Sequence, residues 1–293
     1  MPMLIADGSW SRGDASLHSC VFFARGFRLH LMTTHELTFD SRFLCPFQAN
    51  GNESLILIAL LEGRALFRET PNAQGTEFTR TIFRFREDEY DRRHSNAPTL
   101  RLGGPRRRSI EIAIPGAAVL MTARTAEVPE EVSAFVEIMA NRELHDEVRT
   151  QACVDLCGSL HQHGITSQPL AGRAREAFPE SVERVCQALI SLYSRLDTGA
   201  YLDLLASLAG ISPRQATRDM VTFLATFPVP GRTFRELMKV LRIRRAAMLL
   251  SARDVTVTSV ARDVGYGGLD AMARAFRDAG LPSPSEVRAA LRS

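Results

Sequence analysis

Lysine is almost missing from this chain. Of 36 Lys and Arg residues only Lys239 is a lysine, so the positive charge is carried by arginine. Arginine suits bidentate contacts to phosphate and guanine, although a biased genomic base composition produces the same pattern. Long apolar runs are also missing. The longest, Leu55 to Leu61, falls far short of the roughly 20 residues a bilayer span needs, and no basic-plus-apolar leader stands at the front. That run reads as a buried strand, and no membrane partner is expected. The five cysteines are odd in number and follow no disulfide-framework spacing, which predicts a reducing, cytoplasmic setting. Catalytic signatures are absent too: there is no Gly-x-Ser-x-Gly elbow and no phosphate loop.

What is present begins with length and charge distribution. At 293 residues the chain exceeds one compact core, so two domains are expected. The net charge of +3 is mild, but residues 197–293 carry fourteen Lys and Arg against nine Asp and Glu. The rest of the chain has 22 against 24. Positive charge therefore concentrates in the last third, as in a domain that meets a polyanion.

Residues 20–115 read as β-rich. Strand-like stretches are punctuated by glycine at Arg25-Gly26 and Glu62-Gly63, which predict hairpins, and by turn signals at 71–75, 94–98 and 102–108. "RSIEIAIPG" (108–116) alternates Ile110, Ile112 and Ile114 with small or polar residues, the pattern of a half-buried strand. Short strands at this spacing predict a barrel or sandwich. From Val128 apolar residues recur every three or four positions up to Gly164, which predicts amphipathic helices followed by a loop over 164–172. A helical region then runs from 181 to the end.

The last third repeats itself. Leu202, Leu205, Ala206, Ala209, Gly210 and Ile211 recur 55 positions later as Val257, Val260, Ala261, Val264, Gly265 and Tyr266. Each copy has an apolar helical stripe, a small Ala for close crossing, a glycine corner and an apolar plug, which is how a helix-turn-helix is written. In the second helices Ala216 and Met220 face inward, matched by Met272 and Phe276 after one extra residue. The outward faces carry Arg214, Thr217 and Arg218 in the first copy, and Asp270, Ala273 and Arg274 in the second.

These residues resemble the carboxy-terminal domain of AraC/XylS-family transcription regulators. The likeness rests on Arg242-Ile243-x-x-Ala246, Val260-Ala261-x-x-Val264-Gly265-Tyr266, Arg274-x-Phe276, Gly280, Pro284 and Arg288, and covers about the last hundred residues. It implies seven helices and two recognition helices entering successive major-groove segments on one face of DNA, about 34 Å apart. It also implies an amino-terminal barrel that senses a small molecule, followed by dimerising helices. Two departures are visible. Met220 stands where the family usually has Phe, and "VTFLATFPVPGR" (221–232) is longer than expected, with Pro228 and Pro230 stopping the first recognition helix.

Other chemistry competes with this reading. Cys153, Cys157 and His161 lie along one helix face with His163 nearby, and such ligands suit zinc or copper, or a redox sensor. The competing reading is a packing face of Cys153, Leu156, Cys157 and Leu160. Residues i and i+8 are also about 12 Å apart along a helix, too far to share one ion. A metal-dependent barrel enzyme needs a His-x-His pair, whereas the barrel region offers His18, His30, His35 and His94. His30 and His35 would face opposite sides of one straight strand. Related DNA-binding domains occur fused to alkyl-transfer enzymes with a Pro-Cys-His-Arg site, and Cys45-Pro46 has the reverse order. "RRHSN" (92–96) and "GGPRRRS" (103–109) read as solvated charged turns, with anion sites as the alternative. Arg25, Arg28 and Arg42 are candidates to pair an acidic effector, but none is assigned.

The sequence thus predicts an α+β chain: a cupin-like or jelly-roll β-barrel sensor over 15–120, a helical dimerisation linker over 128–172, and an all-α double helix-turn-helix domain over 181–293. It is expected to regulate transcription in response to an unknown small molecule, not to catalyse, and to need no cofactor or metal. Expected partners are double-stranded operator half-sites, a second copy of the chain and RNA polymerase. Arg214, Gln215, Thr217, Arg218, Asp270, Arg274 and Arg277 are the expected DNA contacts, with Arg232, Arg242 and Arg244 on phosphate. The alternatives are a metal or redox sensor using Cys153, Cys157 and His161, and a barrel enzyme carrying a DNA-binding tail.

Overall fold

A computed structural model describes residues 3–43, 54–86, 97–115, 118–166, 172, 176–197 and 201–292. Cys45-Pro46, His94 and the "RRHSN" stretch lie outside these, as does most of the 164–172 loop. Nine strands form one antiparallel sheet: β1 (Leu4–Arg12), β2 (Ala15–Ala24), β3 (Phe27–His35), β4 (Phe39–Asp40), β5 (Ser54–Arg68), β6 (Thr76–Phe78), β7 (Thr81–Arg86), β8 (Thr99–Pro115) and β9 (Thr125–Glu127). The order is β1-β2-β3-β8-β5-β7-β9, with β4 on β8 and β6 on β5. The expected sheet-rich amino-terminal region is therefore present, as an open path of strands rather than a closed barrel. It starts at Leu4, ahead of the expected span.

Alternation along the strands supplies two apolar faces. On one, Phe22, Leu29, Leu57, Ile110 and Ile112 pack against α1 (Val132–Ala140) and α2 (Asp146–Gln162), joined by Cys153, Leu156, Cys157 and Leu160 of α2. The cysteine stripe is thus a packing face. On the other, Leu17, Met32, Ile56, Ile58 and Leu60 share a core with the carboxy-terminal helices. The sheet is covered on both sides here, so residues 109–114 of β8 are not half-buried: Ser109 and Glu111, on either side of Ile110, are 0% and 1% exposed.

Two expected turns are absent for one reason. Glu62-Gly63 and residues 102–108 lie inside the long strands β5 and β8, opposite each other, where the register slips between Leu60 and Glu62 and again between Glu62 and Arg64. Gly63 has φ +104° there, and a Cβ on it would come within 3.0 Å of the Gly103 carbonyl oxygen. Glycine here makes a bulge that coils a continuing ladder, not a chain reversal. The Arg25-Gly26 hairpin is formed as expected, closing with Ala24 opposite Phe27.

Seven helices follow among the described residues: α3 (Glu180–Ser194), α4 (Leu202–Leu208), α5 (Pro213–Thr226), α6 (Phe234–Leu249), α7 (Val257–Asp263), α8 (Leu269–Asp278) and α9 (Pro284–Arg292). No helix of the described residues is long and apolar enough to cross a membrane. The sheet touches both halves of this region. The Gly26 amide donates to the Thr226 carbonyl at the end of α5 (3.2 Å), and the Trp10 indole donates to Asp263 at the end of α7 (2.9 Å).

Candidate nucleic-acid interface and the cavity behind it

The two corners close with the same hydrogen bonds. Ile211 N–H donates to the Ala206 carbonyl (3.0 Å) and Gly210 to Ser207 (3.2 Å); 55 positions on, Tyr266 donates to Ala261 (2.8 Å) and Gly265 to Arg262 (2.9 Å). This backward reach over five residues satisfies carbonyls that the helix end leaves open. Ser212 caps α5 through the Gln215 amide and Thr256 caps α7 in a reciprocal box with Ser259. Ala216, Met220, Met272 and Phe276 are buried, as the helical phase predicts.

On the outer face Arg214, Thr217, Arg218, Asp270, Arg274 and Arg277 are all exposed. Gln215 is half-buried and works as a brace: its side-chain amide donates to Asp219 (2.6 Å), and its oxygen accepts from Arg218 (2.6 Å). Asp219 is held in turn by Arg184 on α3 at 3.2 Å. Gly267 and Gly268, at the start of α8, face open space, since a Cβ on either meets nothing within 4 Å. The sequence reading missed the apolar members of this face, Val221 (62% exposed) and Leu269 (40% exposed). They were legible from helical phase, four residues after Thr217 and four before Ala273.

Between α5 and α8 lies a concave surface floored by α6, where Arg232, Arg235, Lys239, Arg242 and Arg274 converge. Arg242 is half-buried with its guanidinium 6.0 Å from the Tyr266 ring centre. Arg244 is not part of this surface, which corrects its expected phosphate role. Two residues on from Arg242 it points to the opposite side of the helix. There it is buried and donates to Glu111 of β8 at 2.6 Å.

That contact opens onto a cavity between the sheet, α3, the first recognition helix α5 and the linking helix α6. Its walls are mostly apolar, from Leu17 and Met32 on the sheet to Leu189, Phe223 and Met238 on the helices. Its polar end gathers Ser19, Arg28, His30, Glu111, Tyr193 and Arg244. Arg28 donates to Glu111 at 2.6 Å from the sheet side, so one carboxylate bridges two buried arginines from different layers. Burial alone would raise the Glu111 pKa, but Arg244 and Arg28 outweigh it and hold it at about 2. The Tyr193 hydroxyl lies 2.9 Å from Ser19 and 3.2 Å from His30. Arg245 donates to the Ser9 carbonyl at 3.0 Å.

Burial pushes the His30 imidazole down to about 3, so it is neutral when folded. The unfolded chain takes up this proton first as pH falls. The stability tied to neutral His30 is therefore complete above its ordinary value of 6.5 and is lost as pH drops toward 3. Urea melts at pH 6.5 and 5 are expected to differ by about 2 kcal/mol from this group alone. His30→Gln should flatten that interval, and an unchanged pH dependence in the variant would sink the assignment.

Cys153, Cys157 and His161 are not gathered around one point. Among the described residues no group of three His, Cys, Asp or Glu side chains is placed to hold an ion. Both thiols are fully buried, and the Cys153–Cys157 hydrogen bond together with burial raises the Cys153 pKa well above its ordinary value. His161 instead contacts the Thr166 carbonyl at 2.8 Å.

Two capped helix-turn-helix units with exposed arginine-bearing second helices define a DNA-binding protein. Residues 205–290 match the family model described as a helix-turn-helix domain. Residues 205–290 therefore form a helix-turn-helix domain, and the motifs they carry resemble those of AraC/XylS-type transcription regulators. No match was found among curated proteins. Similar solved structures include ToxT of Vibrio cholerae O395 bound to (E)-4-(8-methylnaphthalen-1-yl)but-3-enoic acid, at 10% identity and TM-score 0.38, covering 91% of this chain and 100% of that one. Unsaturated fatty acid bound ToxT from Vibrio cholerae strain SCE256 gives 9% identity and TM-score 0.36, over 98% and 94%. The AraC-like transcriptional activator CuxR gives 12% identity and TM-score 0.25, over 70% and 74%.

Proposed function

We propose that this regulator is controlled by a small molecule seated in the cavity between the sheet, the first recognition helix and the helix that links the two motifs. The observation that carries the reading is the cavity's position: Ser19, Arg28 and Glu111 come from the sheet, Phe223 from the first recognition helix, and Arg244 from the helix linking the motifs. An occupant that touches all three shifts the population of inter-domain arrangements by its differential affinity. The lining fits an apolar molecule with one polar end. In this reading 15–120 senses, 128–172 dimerises, and 181–293 binds operator half-sites and meets RNA polymerase, in the cytoplasm and without catalysis. Ile138 on α1 and Val148 on α2, 37% and 47% exposed, support a homodimer through that hairpin. A monomer in sedimentation velocity would remove the dimer from the reading.

On DNA, Arg214, Arg218 and Arg274 read base edges, Thr217 and Asp270 assist, and Arg277, Arg232 and Arg242 hold phosphates. Val221 and Leu269 suit thymine methyl groups. Each bidentate base contact is worth about 1–3 kcal/mol of discrimination, so Arg214→Ala with Arg274→Ala should reduce specific affinity at least tenfold. Fluorescence anisotropy on the chain's own upstream DNA measures this, and unchanged site-specific affinity refutes the residue assignment. A ligand library screened by thermal shift, then by its effect on that affinity, tests the sensing half. If no compound does both, control by the cavity fails.

A further inference from the structure

Arg107 is the least expected residue in the sheet. The sequence placed it in a solvated charged turn, yet it sits in β8 and is 0% exposed. Strand alternation puts it on the cavity-side face with Ser109 and Glu111, and its partner across the β3–β8 ladder is Thr34. Thr34 and Ser109 are also 0% exposed. Neither hydroxyl has a hydrogen-bond partner among the described residues, and nor does any of the three guanidinium nitrogens.

Three other buried arginines have a carboxylate partner, and a fourth, Arg245, donates to the Ser9 carbonyl. Arg28 and Arg244 share Glu111, and Arg149 pairs with Asp7 at 2.9 Å. Arg107 has the Phe39 ring, 5.7 Å from its guanidinium carbon. A cation–π contact contributes about 2 kcal/mol when desolvated. Several kcal/mol is the usual penalty for a buried charge without an anion, so the ring does not offset it. Phe39 also lines the cavity, as does Met32, one register step from Thr34, and Leu17, which pairs with Thr34 across β2–β3. Arg107 therefore stands directly behind the cavity wall made by Leu17, Met32 and Phe39, without reaching its surface, four residues from Glu111, or about 13 Å along the strand.

We propose that Arg107, Thr34 and Ser109 form a carboxylate-binding site just behind this wall of the cavity. A carboxylate carries the single negative charge that one guanidinium balances, and its planar pair of oxygens matches the guanidinium fork. The two hydroxyls donate to the remaining lone pairs. A phosphate dianion would leave excess charge among Leu17, Met32 and Phe39. The carboxylate is either a free small acid or the head of a longer ligand whose body lies along Met32 and Phe39. The second source rests on the effector reading above; the first does not.

Acetate, octanoate and octan-1-ol are the probes, titrated into the full chain by calorimetry with thermal shift alongside. The wild type is expected to bind octanoate roughly tenfold or more tightly than octan-1-ol, as a charge-assisted pair warrants. Arg107→Met should abolish that preference, leave octan-1-ol binding within about twofold, and melt no lower than the wild type without ligand, because an uncompensated charge has been replaced by an apolar side chain of similar length. Stabilisation of the wild type by acetate, lost in Arg107→Met, identifies a free acid as the occupant. Stabilisation by octanoate alone identifies a head group.

The site is refuted if the wild type binds acid and alcohol alike and ignores acetate, or if the preference survives Arg107→Met. A preference that survives there but falls in Arg28→Met puts the carboxylate at Glu111, leaving the effector reading intact and this site wrong. Binding of acetate but of neither eight-carbon probe keeps the site and counts against the effector reading. Thr34→Val with Ser109→Ala keeps the charge and removes the hydroxyls; it should weaken acid binding about threefold or more without touching the alcohol, a second check independent of how Arg107→Met folds.

Discussion

Glu111→Gln is expected to lower unfolding free energy by about 3–5 kcal/mol, the range for breaking a buried ion pair and stranding its partners. The substitution keeps the shape and one acceptor oxygen while removing the charge that Arg28 and Arg244 share from 2.6 Å on either side. Both arginines are almost fully buried and cannot turn to water without parting the sheet from α6. Against a total stability of 5–15 kcal/mol for an ordinary domain, the loss is large. Urea melts at pH 7 measure it, and a loss under about 1 kcal/mol would show that the cluster is hydrated rather than enclosed.

A companion variant separates stability from control. Replacing all three residues together, Glu111→Leu with Arg28→Met and Arg244→Leu, removes the charges and the need to match them. Such replacements are often neutral or stabilising by about 1–4 kcal/mol. The triple variant is therefore expected to fold at least as well as Glu111→Gln and to lose the polar end of the cavity. If DNA affinity then stops responding to a ligand that controls the wild type, the cluster belongs to sensing as well as to folding.

The double motif was legible because its signals are local. A small residue, a glycine corner and an apolar plug in fixed order specify their own hydrogen bonds, and Ile211 to Ala206 and Tyr266 to Ala261 form them in both copies. The cavity was not legible, because its parts are far apart in sequence. Ile110, Ile112 and Ile114 announced a strand correctly, but alternation cannot say whether the opposite face meets water or another layer. Here α6 covers it, more than a hundred residues later, so Ser109 and Glu111 became interior groups. Glycine was ambiguous in the same way: Gly26 closes a hairpin, while Gly63 bends a ladder that continues. Arg244 was different, since helical phase alone separates it from Arg242 by about 200° at 3.6 residues per turn.

Gly265→Ala is the second large effect, and Gly210→Ala is its internal control. Both corners use left-handed backbone, with φ +80° at Gly265 and +66° at Gly210. Placing an L-residue there costs about 1–2 kcal/mol in either motif. At Gly210 that is the whole cost, because a Cβ would meet nothing within 4 Å. The corresponding atom at Gly265 would fall 2.2 Å from the Leu196 carbonyl oxygen and 3.0 Å from the Arg242 guanidinium. Arg242 can swing aside; the carbonyl belongs to the chain leaving α3 and cannot. The backbone must separate, and the total is expected to reach about 3 kcal/mol or more. Denaturant melts of the two variants should thus differ by about 2 kcal/mol, although their sequence positions in the repeat are equivalent. The extra strain falls on the seam where the second motif packs against the chain leaving α3. DNA binding through α8 should therefore fail at lower denaturant in Gly265→Ala than binding through α5 does in Gly210→Ala. Equal melts for the two variants would mean that the second corner is not docked on Leu196, and that the motifs are seated alike.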